Sequence, residues 1–189
     1  MTQQPSGTAP SFLAPSVGAQ ASSRLATRAD DLPTGPIVLG TEFGIVSTAA
    51  ERVATRLAST AGVPLVVVHA IDPGRLRLPG GRFRLRVDQA RSAREADGQA
   101  IIERVRAAGV QAHLLIWNGD PATCVVEAAR AEGASRIVVG SHGRGRLGRA
   151  IVGSVSATIA ADSTCPVDIV RGDAVEEDIV TVVPEGSSS

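Results

Sequence analysis

The sequence predicts an α/β fold: an open five-stranded parallel sheet with helices on both faces. Three observations carry this prediction. Short, β-branched apolar runs alternate with longer segments of helical periodicity. One of these runs, residues 136–139, leads straight into a glycine-rich loop. Helix start and stop signals fall between the runs, as right-handed βαβ crossovers require.

Each element has its own reason. Residues 37–41 (Ile-Val-Leu-Gly-Thr) form a short apolar run suited to a buried parallel strand. Residues 46–60 follow as a helix with Ala49, Val53 and Leu57 on one face, stopped by Gly62 and Pro64. Residues 65–71 are a second buried strand, in which His69 reads as a satisfied core histidine. Residues 88–108 read as a long helix carrying Ala93, Ala100, Ile101 and Val105. Residues 111–116 are the third strand and contain His113. Asp120-Pro121 is a helix start, Asp as N-cap and Pro at the first helical position, with Val125, Val126 and Ala129 facing inward. Residues 136–139 are the fourth strand, 151–161 the last helix and 166–171 the fifth strand.

The glycine-rich loop carries the chemistry. Such a loop leaves successive backbone N–H groups free to face an anion, and the following helix N-terminus adds a partial positive charge. Arg144, Arg146 and Arg149 add full charges. The simplest ligand is a phosphate, as in the tail of a nucleotide. In sheets of this kind ligands sit beyond the carboxyl ends of the strands, where strand order reverses.

Composition removes several function classes. The chain has zero formal net charge, so no global field draws it to nucleic acid or a membrane. Its nineteen basic residues are all arginine, and a Walker A loop and Schiff-base chemistry both need lysine. With no tyrosine, one tryptophan and three phenylalanines, it lacks a base-stacking platform for single-stranded nucleic acid. No apolar stretch approaches a membrane span, and no basic, apolar leader opens the chain. Cys124 and Cys165 allow one disulfide, but they read rather as two reduced core thiols, which points to the cytoplasm. The cysteines and histidines show no metal spacing, and no GxSxG elbow is present. No catalytic group stands out. His142 has no adjacent acid to orient it, so it reads as a loop-surface histidine rather than a general base.

The spacing Gly140-x-x-Gly143, nine residues, then Gly153-Ser154 resembles the ATP-binding signature of the universal stress protein family. Asn118-Gly119-Asp120-Pro121-Ala122, Arg136-Ile-Val-Val-Gly140 and Cys165-Pro166-Val167 fall in the family's order. The resemblance covers residues 35–171, leaving a Pro- and Ser-rich tail at 1–34, expected to be disordered, and a C-terminal extension at 172–189. It implies a Rossmann-like fold of the adenine nucleotide alpha hydrolase type with strand order 3-2-1-4-5. It also implies ATP, with or without Mg2+, as ligand, a regulatory role in the stress response, and slow ATPase activity at most. Gly140, Gly143, Gly153, Ser154 and Val155 match the family's nucleotide contacts. Val139 and Ala70 would line the adenosine pocket, and Thr41 and Glu42 would face the same crevice. The first strand ends in Glu42-Phe43-Gly44, where the family commonly has Asp-Gly-Ser.

Other readings compete. Gly143-Arg-Gly145-Arg-Leu-Gly148 is literally GxGxxG with Asp168 twenty residues on, but a dinucleotide fingerprint belongs after a fold's first strand. A nucleotide hydrolase, a dinucleotide enzyme and a stress protein of this fold that binds no nucleotide are the alternatives to an ATP-binding regulator. Residues 75–86 alternate arginine with apolar residues around Pro79-Gly80-Gly81, which reads as a β-hairpin. That hairpin is either a lid or docking surface, or a solvated insertion. Asp168 sits mid-strand, where it would face its own copy if the fifth strands paired in a dimer. Residues 178–183 are strand-like, and either fold back on the fifth strand or cross to a partner. The expectation is a homodimer with residues 178–183 at its interface; a further protein partner remains unidentified.

Overall fold

Hydrophobic alternation along the strands sorts the core into two layers. The structure, a computed structural model, describes residues 33–73, 83–141, 153–172 and 177–184. β1 (Ile37–Gly40), β2 (Leu65–Ile71), β3 (Ala112–Asn118), β4 (Arg136–Gly140) and β5 (Val167–Gly172) are mutually parallel and lie in the order β3-β2-β1-β4-β5. The expected architecture and strand order are therefore observed.

Successive strand side chains face opposite ways. Ile37, Leu39, Leu65 and Val67 pack with α1 (Ile45–Ala61) and α2 (Phe83–Ala107), where Val53, Leu57, Ile101 and Ile102 are buried. Val38, Val66, Val68, Ile137 and Val139 pack on the other face against α3 (Pro121–Ala131) and α4 (Ser154–Asp162). Between α1 and α2, Arg104 forks onto the carboxylate of Glu51 at 2.7 and 2.8 Å. α3 begins as its local sequence demands: the Asp120 carboxylate accepts from the Thr123 N–H at 3.0 Å, and Pro121 follows.

Three expectations change. α2 begins at Phe83, so residues 83–86 are helix and not the second arm of a hairpin. The rest of that segment, 74–82, lies outside the described residues. Arginine and leucine are strong helix formers, and a few residues of period-two alternation do not outweigh joining a helix already nucleated. α4 begins at Ser154, with Gly153 as an extended N-cap. The sheet also has a sixth strand beyond the five expected, β6 (Glu177–Val182), which folds back antiparallel on β5, one of the two placements expected of residues 178–183.

This last strand settles the place of Asp168, which is 1% exposed. Within the chain it does not face a copy of itself. Arg136 Nη1 donates to its two carboxylate oxygens at 3.1 and 3.0 Å, and the Thr181 hydroxyl of β6 donates at 2.6 Å. The buried charge is thus paired from β4 on one side and β6 on the other.

Candidate functional site

Strand β1 stops where its two neighbours diverge, and a cavity of about 550 Å³ opens there. Its floor is the carboxyl ends of β1, β2 and β4, the position expected for a ligand in a sheet of this order. Thr41, Glu42, Ala70, Val139, Gly140, Gly153, Ser154 and Val155 all line it. The sequence-predicted residues are therefore brought together, except Gly143, Arg144, Arg146 and Arg149, which lie outside the described residues.

Glycine at the end of β1 is required by packing. A Cβ on Gly40 would stand 2.9 Å from Val139 Cγ1 and 3.0 Å from Val125 Cγ2, closer than carbon atoms tolerate. Gly153 is different. Its φ is −59°, and a Cβ there would meet only the Ser156 hydroxyl, at an ordinary 3.4 Å. The protein's own packing tolerates a larger residue at this helix start.

On the β4–α4 side the site is polar and open. No side chain caps α4, so its first N–H groups carry no side-chain acceptor. α3, at the same rim, has its own cap in Asp120. Ser141, the residue after β4, is 3% exposed and its backbone N–H donates to the Val170 carbonyl at 2.9 Å. Its buried hydroxyl has no hydrogen-bond partner among the described residues. A buried hydroxyl left without a partner costs about 1–3 kcal/mol.

On the β1–β2 side the contacts are made by side chains. The Thr41 hydroxyl accepts from the Phe43 N–H at 3.0 Å and holds that turn. Phe43 sits at φ 60°, the left-handed region that glycine adopts without penalty and that costs other residues about 1–2 kcal/mol. Its ring packs on His69, with centroids 4.4 Å apart. His69 Nδ1 donates to the Thr41 carbonyl at 2.8 Å. Burial, and then the nearby Arg94, push the His69 pKa below the ordinary histidine value; the Thr41 hydrogen bond, Glu42 and Asp97 oppose this. His69 is satisfied at one nitrogen, as expected, but it also lines the cavity. Arg94 of α2 lines it too, paired with Asp97 at 3.1 Å. Neither is marked by a local motif. His69 lies in an apolar strand and Arg94 in a charged helix, and only the fold brings them to the strand ends.

The family model for the universal stress protein family matches residues 34–171. The chain belongs to the universal stress protein family. Universal stress protein YxiE of Bacillus subtilis is 39% identical over 89 residues, 45% of this chain and 60% of that protein. A universal stress protein of Mycolicibacterium smegmatis is 34% identical over 143 residues, 72% of this chain and 45% of that protein. The alignments thus span 60% and 45% of the lengths of these two relatives. Among solved structures, a universal stress protein in complex with cAMP superposes with a TM-score of 0.55 at 24% identity, covering 72% of this chain and 96% of that one. The Archaeoglobus fulgidus universal stress protein in complex with dAMP gives 0.53 at 20% identity, covering 73% and 98%. At these identities the likeness is one of fold.

No helix among the described residues is long and apolar enough to cross a membrane. Cys124 and Cys165 are unpaired, and burial raises both thiol pKa values.

Proposed function

We propose that this universal stress protein binds ATP, with or without Mg2+, in the cavity at the ends of β1, β2 and β4. The observation that carries the reading is the pairing of an uncapped α4 N-terminus with the unpartnered Ser141 hydroxyl at one cavity wall. Among the described residues neither meets a side-chain acceptor, and phosphate oxygens would supply one. Universal stress proteins of the same fold in complex with cAMP and dAMP support an adenine nucleotide as the class. In this reading Gly140, Gly143, Gly153, Ser154, Val155 and the three loop arginines receive the phosphates. Thr41, Glu42, Ala70 and Val139 border the adenosine. The protein acts in the cytoplasm as a regulator, its nucleotide altering a surface that partners read, and turnover is slow. Mass spectrometry of the gently denatured protein tests this. Released ATP is the expected result; NAD(P), or no nucleotide after incubation with ATP, overturns it.

A homodimer completes the proposal, with residues 178–183 at its interface. β6 is an outer strand, and Val183 beside it is 58% exposed. A strand edge of this kind offers unpaired backbone groups to a second copy. Sedimentation of a chain ending at Arg171 should show a monomer where the full chain is a dimer. A truncated dimer of equal affinity returns the interface to β5.

A further inference from the structure

His69 stands in the cavity with one ring nitrogen committed and the other without a partner among the described residues. A carbonyl can only accept, so the 2.8 Å contact with Thr41 places the proton on Nδ1. In the neutral ring Nε2 then carries a lone pair and acts as an acceptor. Among the described residues no donor reaches Nε2. The ring is not free to turn away. It is pinned by the Thr41 carbonyl at one edge and packed against Phe43, 4.4 Å away with a 32° tilt. The groups that face it are Arg94 and Asp97 from α2, and Glu42 after β1; burial and Arg94 outweigh the acids and keep the ring neutral near pH 7. Ala70 and Val139 border the same space with aliphatic side chains, which can flank a base but cannot read its edge. Glu42, Ser47, Asp72 and Arg94 also line the cavity, and among the lining side chains His69 offers a neutral lone pair in a place fixed from two sides.

We infer that His69 Nε2 accepts a hydrogen bond from the 6-amino group of a bound purine and so selects adenine over 6-oxo purines. The inference rests on the nucleotide reading above and adds a specificity residue to it. Adenine presents a donor at position 6, whereas hypoxanthine and guanine present an acceptor there. Against a lone pair, the oxo group leaves both acceptors unpaired in a buried site, and sites built on a polar contact reject a mismatch strongly. A ribose hydroxyl is the other donor a nucleotide carries, and the choice of probes separates the two.

The test titrates the full-length protein with ATP, ITP and 2′-deoxy-ATP by calorimetry. The wild type should bind ATP at least about tenfold tighter than ITP, the effect of one hydrogen bond in a buried site. His69→Asn keeps an amide N–H for the Thr41 carbonyl but has no atom reaching the Nε2 position. It should lower ATP affinity by about tenfold, leave ITP affinity unchanged, and so erase the preference. A wild type that binds ATP and ITP equally overturns the inference while the nucleotide reading stands. So does a His69→Asn protein with an unchanged ATP-to-ITP ratio, or one that loses a preference for ATP over 2′-deoxy-ATP instead. A wild type that binds no nucleotide overturns the nucleotide reading and this inference together.

Discussion

On the β4–α4 side of the cavity the chain offers backbone: an extended glycine, an uncapped helix start and one orphaned hydroxyl. On the β1–β2 side it offers side chains locked to one another, with Thr41 holding Phe43, and Phe43 and Thr41 holding His69. A backbone wall recognises charge and tolerates many ligands bearing phosphate. A side-chain wall recognises shape and hydrogen-bond polarity. On the proposed nucleotide reading the first wall supplies affinity and the second selectivity, and substitutions on each should separate the two properties.

The largest effect is expected from Gly140→Val. Gly140 closes β4 and lines the cavity. Its φ is not positive; the positive-φ glycines among the described residues are Gly62, Gly109, Gly119 and Gly133. The effect is therefore one of space and not of backbone strain. A valine side chain occupies room that phosphates need, and a β-branched residue suits the strand it would extend. ATP binding should be abolished in a calorimetric titration while the thermal melt shows a folded protein. Retained affinity would move the site off this wall.

Next comes the triple change of Arg144, Arg146 and Arg149 to Ala. If they meet phosphate, each contact contributes about 1.5–3 kcal/mol. ATP affinity should then fall far more than adenosine affinity. Equal losses for the two ligands would assign the arginines to the base or to the fold, and would dissolve the division between the walls.

The two walls also differ in how legible they were. Gly140 and Gly153-Ser154, which line the cavity, are visible in sequence because they belong to a pattern of glycines at a fixed spacing along one segment. Asp120-Pro121 was readable for the same reason, since a helix cap is a local device. The side-chain wall was not readable. His69 sits in a run of valines, and nothing near it in sequence announces that it bonds to Thr41, twenty-eight residues away. Phe43 gave half a signal, as a ring at a position where the family has glycine. Asp168 stands out in sequence as a charge in mid-strand, but its partners, Arg136 and Thr181, come from two other strands. The start of α2 at Phe83 was misjudged because a short alternating stretch is compatible with either period.

The smallest effect concerns pH, and it isolates the side-chain wall without any ligand. Burial and Arg94 lower the His69 pKa in the folded protein relative to the unfolded chain, where histidine titrates near about 6.5. A base with a lowered folded pKa binds protons more readily when unfolded, so stability rises with pH through this range. The contribution is complete above the unfolded value, and declines as pH falls from about 6.5 towards the folded pKa. Every other ionisable group is common to wild type and variant, so the difference between the two proteins reports His69. The gap in Tm between wild type and His69→Asn should be widest near pH 7.5 and should narrow by pH 5.5. A gap that stays constant across that interval would mean the ring takes up its proton alike in the folded and unfolded chain, so that burial does not shift it. A gap that widens on acidification would mean the charged form is favoured in the fold, and Nε2 would then be a donor, unable to read an amino group.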